Sequence, residues 1–239
     1  MKALITFIRS LAFTIVMCTV TFFYSFLCVL AKPLPAPFRY RMITAWTSFI
    51  IASAKHLCGI HYQVKGMENI PKDNAIIFSK HQSTWETFLL PILFHQPTII
   101  LKKELLRIPF FGWGLSILDP IAIDRNNKKS ALEQMIQQGK ASLEQGRFIL
   151  CFPEGTRTQP GEKVKYKLGA AKLAEATKAK VIPVAHNAGT LWPKKGFMKK
   201  AGTITVSIGP CIDTTRKTPI EIMDEARTWV ENEVDGMVE

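Results

Sequence analysis

His81 and Glu86 stand five residues apart in "SKHQSTWETF", directly after the apolar run "NAIIFS". Imidazole is the side chain whose ordinary titration falls nearest neutrality, and a carboxylate on one ring nitrogen orients it as a general base. The same two residue types also suit the polar start of a helix, so the spacing by itself leaves both readings open. Three more polar clusters follow short apolar runs in the same way: "LKKELLRIPFFGW" after "TII", "AIDRN" after "ILDPI", and "FPEGTRTQPGEKVKYKLGA" after "RFILC". In α/β sheets, ligands collect in the loops beyond the carboxyl ends of strands, which is where all four clusters fall.

The elements that must position them alternate in type. Strands are predicted over Tyr62–Lys65, Ala75–Ser79, Thr98–Leu101, Ile117–Ile123, Phe148–Phe152, Val181–Val184 and Thr203–Ile208. Helical runs lie between them. Ser130 and Glu133 have capping-box spacing ahead of "ALEQMIQQGKASLEQG", which Gly146 closes, and "LGAAKLAEATK" reads as a second helix. Thr218, Pro219 and Glu221 supply a cap, a first-turn proline and an N3 carboxylate for an amphipathic C-terminal helix. This alternation predicts an α/β fold with a mainly parallel central sheet and helices on both faces, spanning 59–239.

Residues 1–58 have a different character. From Ser10 to Ala31 there is no charged residue, and as a helix this stretch would extend about 33 Å against a hydrocarbon core of about 30 Å. A cleaved signal peptide is disfavoured, because Phe22, Phe23, Tyr24 and Phe26 occupy the place where small residues should precede a cleavage site. "KPLPAP" breaks this helix, and "MITAWTSFIIASA" (42–54) suits a shorter interfacial helix. Basic residues flank both sides, so one span and two helices dipping into one leaflet fit equally.

The 239 residues carry a formal charge of +12, with no Asp or Glu before Glu68. Between Gly161 and Lys200, ten lysines face only Glu162 and Glu175. Such acid-free flanks of apolar segments fit an anionic membrane surface. Nucleic acid is not the expected partner, since only Tyr166, Trp192 and Phe197 interleave those lysines and no recognised fold signature accompanies them. The five cysteines form no CxxC pair, no HExxH occurs, and His56, His61 and His95 lack ligand spacing, so no metal is expected. A GxSxG elbow and a GxxxxGK[ST] loop are absent, and "FGWGLSI" lacks the third glycine of a dinucleotide loop.

Taken in order, "KHQSTWE", "KKELLRIPFFG", "AIDRN", "FPEGTRT" and "VIPVAHN" resemble the blocks of the glycerolipid acyltransferases, most closely the bacterial 1-acylglycerol-3-phosphate acyltransferases, from about Gly59 to Asp213. Glu86 stands where that family usually carries Asp. The resemblance implies acyl transfer from a thioester to a glycerol hydroxyl without a covalent enzyme intermediate. It makes His81 the base and Glu86 the carboxylate that fixes the ring tautomer. Lysophosphatidic acid is the implied acceptor and phosphatidic acid the product. Acyl-CoA or acyl carrier protein is the implied donor, with no resident cofactor.

A phosphomonoester acceptor calls for fixed cations and donors. Arg157 supplies a bidentate fork, helped by the backbone around Gly155 and Thr156, within the block that also contains Thr158. Lys102 or Lys103 is the natural second cation and Arg125 a third. Glu154 is expected to organise the loop by accepting hydrogen bonds from an arginine or from backbone amides. Pro183 falls in the block associated with the donor side, while His186 beside it has either a structural or a functional reading. The resemblance also implies anchoring on the cytoplasmic side of a bacterial inner membrane. The alternative keeps the chemistry with another lysolipid, such as lyso-ornithine lipid, as acceptor.

Overall fold

Short runs of β-branched and aromatic residues build a seven-stranded sheet that the longer apolar helices cover. The computed structural model describes residues 1–124 and 128–237. Its strands are β1 (Ile60–Lys65), β2 (Ile76–Ser79), β3 (Thr98–Lys102), β4 (Ile121–Ile123), β5 (Ile149–Cys151), β6 (Val181–His186) and β7 (Gly202–Ile208). They are arranged β1-β7-β6-β2-β5-β3-β4, with every neighbouring pair parallel except β6 and β7. The expected mixed α/β architecture is therefore present. β2, β5 and β6 are buried along their whole length, which explains why they read as continuous apolar runs rather than alternating ones. Burial of Ile76, Ile77 and Phe78 contributes about 1.5–3 kcal/mol each.

The helices are α1 (Lys2–Leu30), α2 (Ala36–Ser53), α3 (Trp85–Leu93), α4 (Phe111–Ser116), α5 (Lys128–Glu144), α6 (Gly169–Thr177), α7 (Ala188–Leu191) and α8 (Pro219–Asp235). One face of the sheet packs on Phe13 of α1, Ile50 and Ile51 of α2, and Trp85 and Leu89 of α3. The other packs on Ala131 and Leu143 of α5, Leu173 and Ala174 of α6, and Ile222 and Ala226 of α8. The predicted capping box of α8 forms in full: Thr218 N–H donates to Glu221 Oε2 at 2.8 Å, and Glu221 N–H to Thr218 Oγ1 at 3.3 Å.

Three predicted boundaries are corrected. The strand over Ile117–Ile123 is reduced to Ile121–Ile123, because Asp119 takes φ +49° and Pro120 has no N–H for a ladder. Ser130 is not a cap: α5 already begins at Lys128, and the Ser130 hydroxyl accepts from Gln134 Nε2. The second apolar helix starts at Ala36 rather than Met42, since Pro37 sits in its first turn, where no N–H is needed.

α1 is long and apolar enough to cross a membrane, with mean hydropathy 2.1 over its best window. Phe7, Ile15, Phe23 and Leu30 are exposed along it, a surface that water does not favour. Its first third is nevertheless tied to the sheet domain. Arg9 Nε donates to Leu57 O at 2.6 Å, Lys199 N–H donates to Ser10 Oγ at 2.9 Å, and the Phe13 ring meets Trp192 edge-on at 5.0 Å. Further along, Phe22 and Phe26 pack against Phe110 beside α4.

Candidate active site

Three adjacent strands deliver the polar clusters to one place. Phe78 of β2 is level with Cys151 of β5, so the loops that leave these strands start side by side, and β3 runs parallel on the other side of β5. The two loops are then bonded to each other at His81. Its N–H donates to Glu154 Oε2 at 2.8 Å, and its carbonyl accepts from Thr158 N–H at 2.7 Å. Gly155 allows the sharp return of the second loop, with φ +71° in the left-handed region that a side chain disfavours.

The His81 ring stacks on Phe152 with centroids 4.1 Å apart, and its Nδ1 lies 2.9 Å from Glu86 Oε1. A carboxylate only accepts, so Nδ1 carries the proton and Nε2 offers its lone pair. Glu86 occupies the first turn of α3 and is 1% exposed. Its Oε1 also accepts the N–H groups of Gln82 at 3.0 Å and Ser83 at 2.9 Å. Burial alone would raise this carboxyl, but the hydrogen bond from His81 and the Ser83 N–H hold it below the ordinary range. The histidine and glutamate of the opening motif thus form an oriented dyad in which the carboxylate is ionised.

His186, for which the sequence left two readings, is fully buried behind the dyad. Its Nε2–H donates to Lys80 O at 2.9 Å and its Nδ1 accepts from Ala188 N–H at 3.2 Å, with Glu86 Oε2 4.0 Å from Nε2. Burial keeps it below the usual histidine range, and these partners fix it as a neutral support.

The three donors on Glu86 Oε1 give the longer acid a reason. Aspartate at the same backbone position loses about 1.5 Å of reach and cannot hold the ring and both amides together. Glu86→Asp is expected to lower kcat, up to about 100-fold, with little change in KM. Steady-state kinetics check this, and full activity in the variant would refute a co-adapted turn.

Glu154 does organise the loop, but with a lysine in place of an arginine. Its Oε1 lies 2.8 Å from Lys80 Nζ, and Thr158 Oγ1 is 3.3 Å from that same oxygen. Lys80, which the sequence reading passed over, is 2% exposed and also meets Glu231 Oε1 of α8 at 2.8 Å. Tyr166 donates to that Glu231 oxygen at 2.7 Å. Burial would lower the Lys80 ammonium, but Glu154 and Glu231 together raise it. A charge directly after a fully buried strand must be paired, and that was the signal available in the sequence.

The remaining site residues divide. Arg157 is half-buried and donates from Nη1 to Thr84 Oγ1 at 2.7 Å, which brings the two motif loops together. Thr156 is exposed at the loop tip. Thr158, expected among the substrate contacts, is instead fully buried beneath His81, because its N–H and hydroxyl complete the loop. Lys102 is exposed and reaches the site from the end of β3, while Lys103 opens a 3₁₀ turn, Lys103–Arg107, beside it. Arg125 lies outside the described residues. Among the described residues, no three His, Cys, Asp or Glu side chains are grouped to hold a metal ion.

A cavity of about 280 Å³ runs from His81 and Gly155, past Lys102, between Phe88 and Leu101, to Ile43 and Trp46 of α2. A second, of about 460 Å³, lies under α5 and α6 on the opposite face of the sheet and shares Ile100, Phe152 and Gly155 with the first. The site therefore unites an imidazole oriented by a carboxylate, a basic loop and an apolar cavity that reaches α2. That combination suits proton removal from an amphiphilic alcohol, the chemistry of acyl transfer.

Residues 61–187 match the Acyltransferase family, and the chain belongs to it. It is 43% identical over 228 residues to 1-acyl-sn-glycerol-3-phosphate acyltransferase of Pseudomonas aeruginosa, covering 93% of this chain and 89% of that one. The protein of the same name from Borreliella burgdorferi is 32% identical over 168 residues, covering 69% and 67%. The crystal structure of the 1-acyl-sn-glycerophosphate acyltransferase from Thermotoga maritima superposes with a TM-score of 0.82 at 22% identity, covering 99% and 98%. At that identity the likeness shows a shared fold.

Proposed function

We propose that this acyltransferase esterifies the sn-2 hydroxyl of 1-acylglycerol-3-phosphate with a fatty-acyl group from CoA or acyl carrier protein, giving phosphatidic acid. The observation that carries this reading is the His81–Glu86 dyad, 2.9 Å apart, in a cavity that also receives Lys102 and Gly155. The names of the relatives described above support the acceptor. His81 Nε2 takes the proton as the hydroxyl oxygen attacks the thioester carbonyl. The C–S bond then breaks, and the imidazolium returns that proton to the leaving thiolate. Glu86 stabilises the transient imidazolium. Lys102, Arg157 and the backbone near Thr156 hold the phosphate, while Lys103 adds positive field beside them.

The channel towards Trp46 suits an acyl chain, because its walls are aliphatic and aromatic and it opens beside helices that carry exposed apolar surface. Membrane anchoring by α1 and α2 fits the cytoplasmic face of a bacterial inner membrane, where thioester donors are made. The decisive experiment offers purified full-length enzyme labelled acyl-CoA or acyl carrier protein with a panel of lysolipids. Phosphatidic acid is the expected product. Transfer to lyso-ornithine lipid in preference to lysophosphatidate would replace the acceptor, and no transfer from either donor would end the reading.

A further inference from the structure

The lysine-rich segment beyond the "FPEGTRT" block turns back onto the site. Lys167 N–H donates to Pro153 O at 2.8 Å, which seats the start of α6 against the beginning of the phosphate loop. The Lys167 side chain then lies directly across Gly155. A Cβ added at Gly155 would fall 2.5 Å from Lys167 Nζ and 2.8 Å from its Cε. Gly155 thus serves two purposes: it permits the φ +71° turn and leaves room for an ammonium group at the loop's surface.

Among the described residues, that ammonium has no carboxylate partner. Glu154, the neighbour of Gly155 in sequence, spends its oxygens on Lys80, the His81 N–H and Thr158, and is 3% exposed. Glu162 accepts from Gln159 N–H at 2.8 Å. No described carboxylate lies within ion-pair distance of Lys167. Gly155 walls both cavities: Lys102, with Glu104 3.7 Å away, reaches it from β3 through the first, Lys167 borders it in the second, and Arg157 lies two residues along the loop. Cations gathered from three elements repel one another unless an anion joins them.

We propose that Lys167 is a phosphate-binding residue of the acceptor site, and that it makes the site select a phosphomonoester dianion over a neutral or zwitterionic lysolipid. This rests on the proposed acceptor chemistry. Lys167 would contact the phosphate from the side of α6, opposite Lys102, as a point charge complementing the guanidinium of Arg157. It takes no part in the proton transfer.

The test uses the full-length enzyme with lysophosphatidate and with 1-monoacylglycerol, which lacks the phosphate. Lys167→Ala should raise KM for lysophosphatidate about tenfold or more, the scale of one charge-assisted hydrogen bond, while kcat and the donor KM stay within twofold. Lys167→Arg should recover most of the loss. Monoacylglycerol should be used equally poorly by wild type and variant, and Lys172→Ala, an exposed lysine further along α6, should match wild type throughout. An unchanged lysophosphatidate KM in Lys167→Ala, or a rise confined to the donor KM, overturns this inference and leaves the proposed reaction standing. A wild type that does not prefer lysophosphatidate to monoacylglycerol overturns both.

Discussion

His81→Ala lowers kcat by about 10³–10⁴-fold while donor and acceptor KM stay within about threefold. The imidazole is 18% exposed at the cavity wall and contributes to the fold by stacking on Phe152 and by donating one of the three hydrogen bonds to Glu86. Its loss therefore costs about 2–3 kcal/mol of stability, too little to unfold the domain because the Gln82 and Ser83 N–H groups still hold Glu86. The backbone bonds from His81 N–H to Glu154 and from Thr158 to His81 O do not need the ring, so the cationic loop remains in place. Binding then survives while proton removal does not. Steady-state kinetics with a thermal melt on the same samples check both halves. A variant with more than a tenth of wild-type kcat would show that another group, or water, takes the proton.

The parts of this site that could be read from sequence are those in which chemistry and local structure share a few consecutive residues. His81 and Glu86 lie within one strand-to-helix turn, and Glu154 to Thr158 follow one strand, so order and spacing were informative. The α8 capping box forms because Thr218 and Glu221 are three residues apart and bond to each other. Long-range partners left weaker traces. Lys80 and Glu231 are separated by 151 positions, and only the sheet order and the packing of α8 on β6 bring them together. Thr158 reads as a polar motif residue, yet its burial depends on the His81 loop lying above it. The Ile117–Ile123 run failed for a local reason that was visible, Pro120, but its apolar pattern outweighed that signal. The reach of α1 onto Trp192 and Leu57 has no sequence signature, because an apolar helix facing lipid and one partly facing protein have the same composition.

Lys80→Met is expected to be the most destabilising change near the site. The ammonium sits between Glu154 and Glu231, 2.8 Å from each, with 2% of the side chain exposed. Removing it leaves Glu154 almost wholly buried with one cationic partner fewer. Breaking a buried pair from one side costs about 3–5 kcal/mol, whereas removing both charges together costs much less. For a chain of this size, each kcal/mol lowers Tm by about 2–4 °C, so a fall of roughly 6–20 °C follows. Burial already raises the Glu154 carboxyl, and without Lys80 it takes up a proton more readily. A neutral acid is a poorer acceptor for the His81 N–H, so the loop that positions the base loosens and kcat falls as well. The double variant Lys80→Met/Glu154→Gln separates these effects. It should regain most of the lost Tm, because the fully buried Glu154 charge is removed with its partner while Glu231, 16% exposed, keeps the Tyr166 hydroxyl, but not the kcat, because the amide does not restore the carboxylate's grip on His81. Equal melting of the single and double variants, or a Lys80→Met melt within 2 °C of wild type, would mean that the ion triad holds neither the fold nor the base. If the triad does hold them, the C-terminal helix is part of the catalytic apparatus, since Glu231 is its link to the strand end that carries His81.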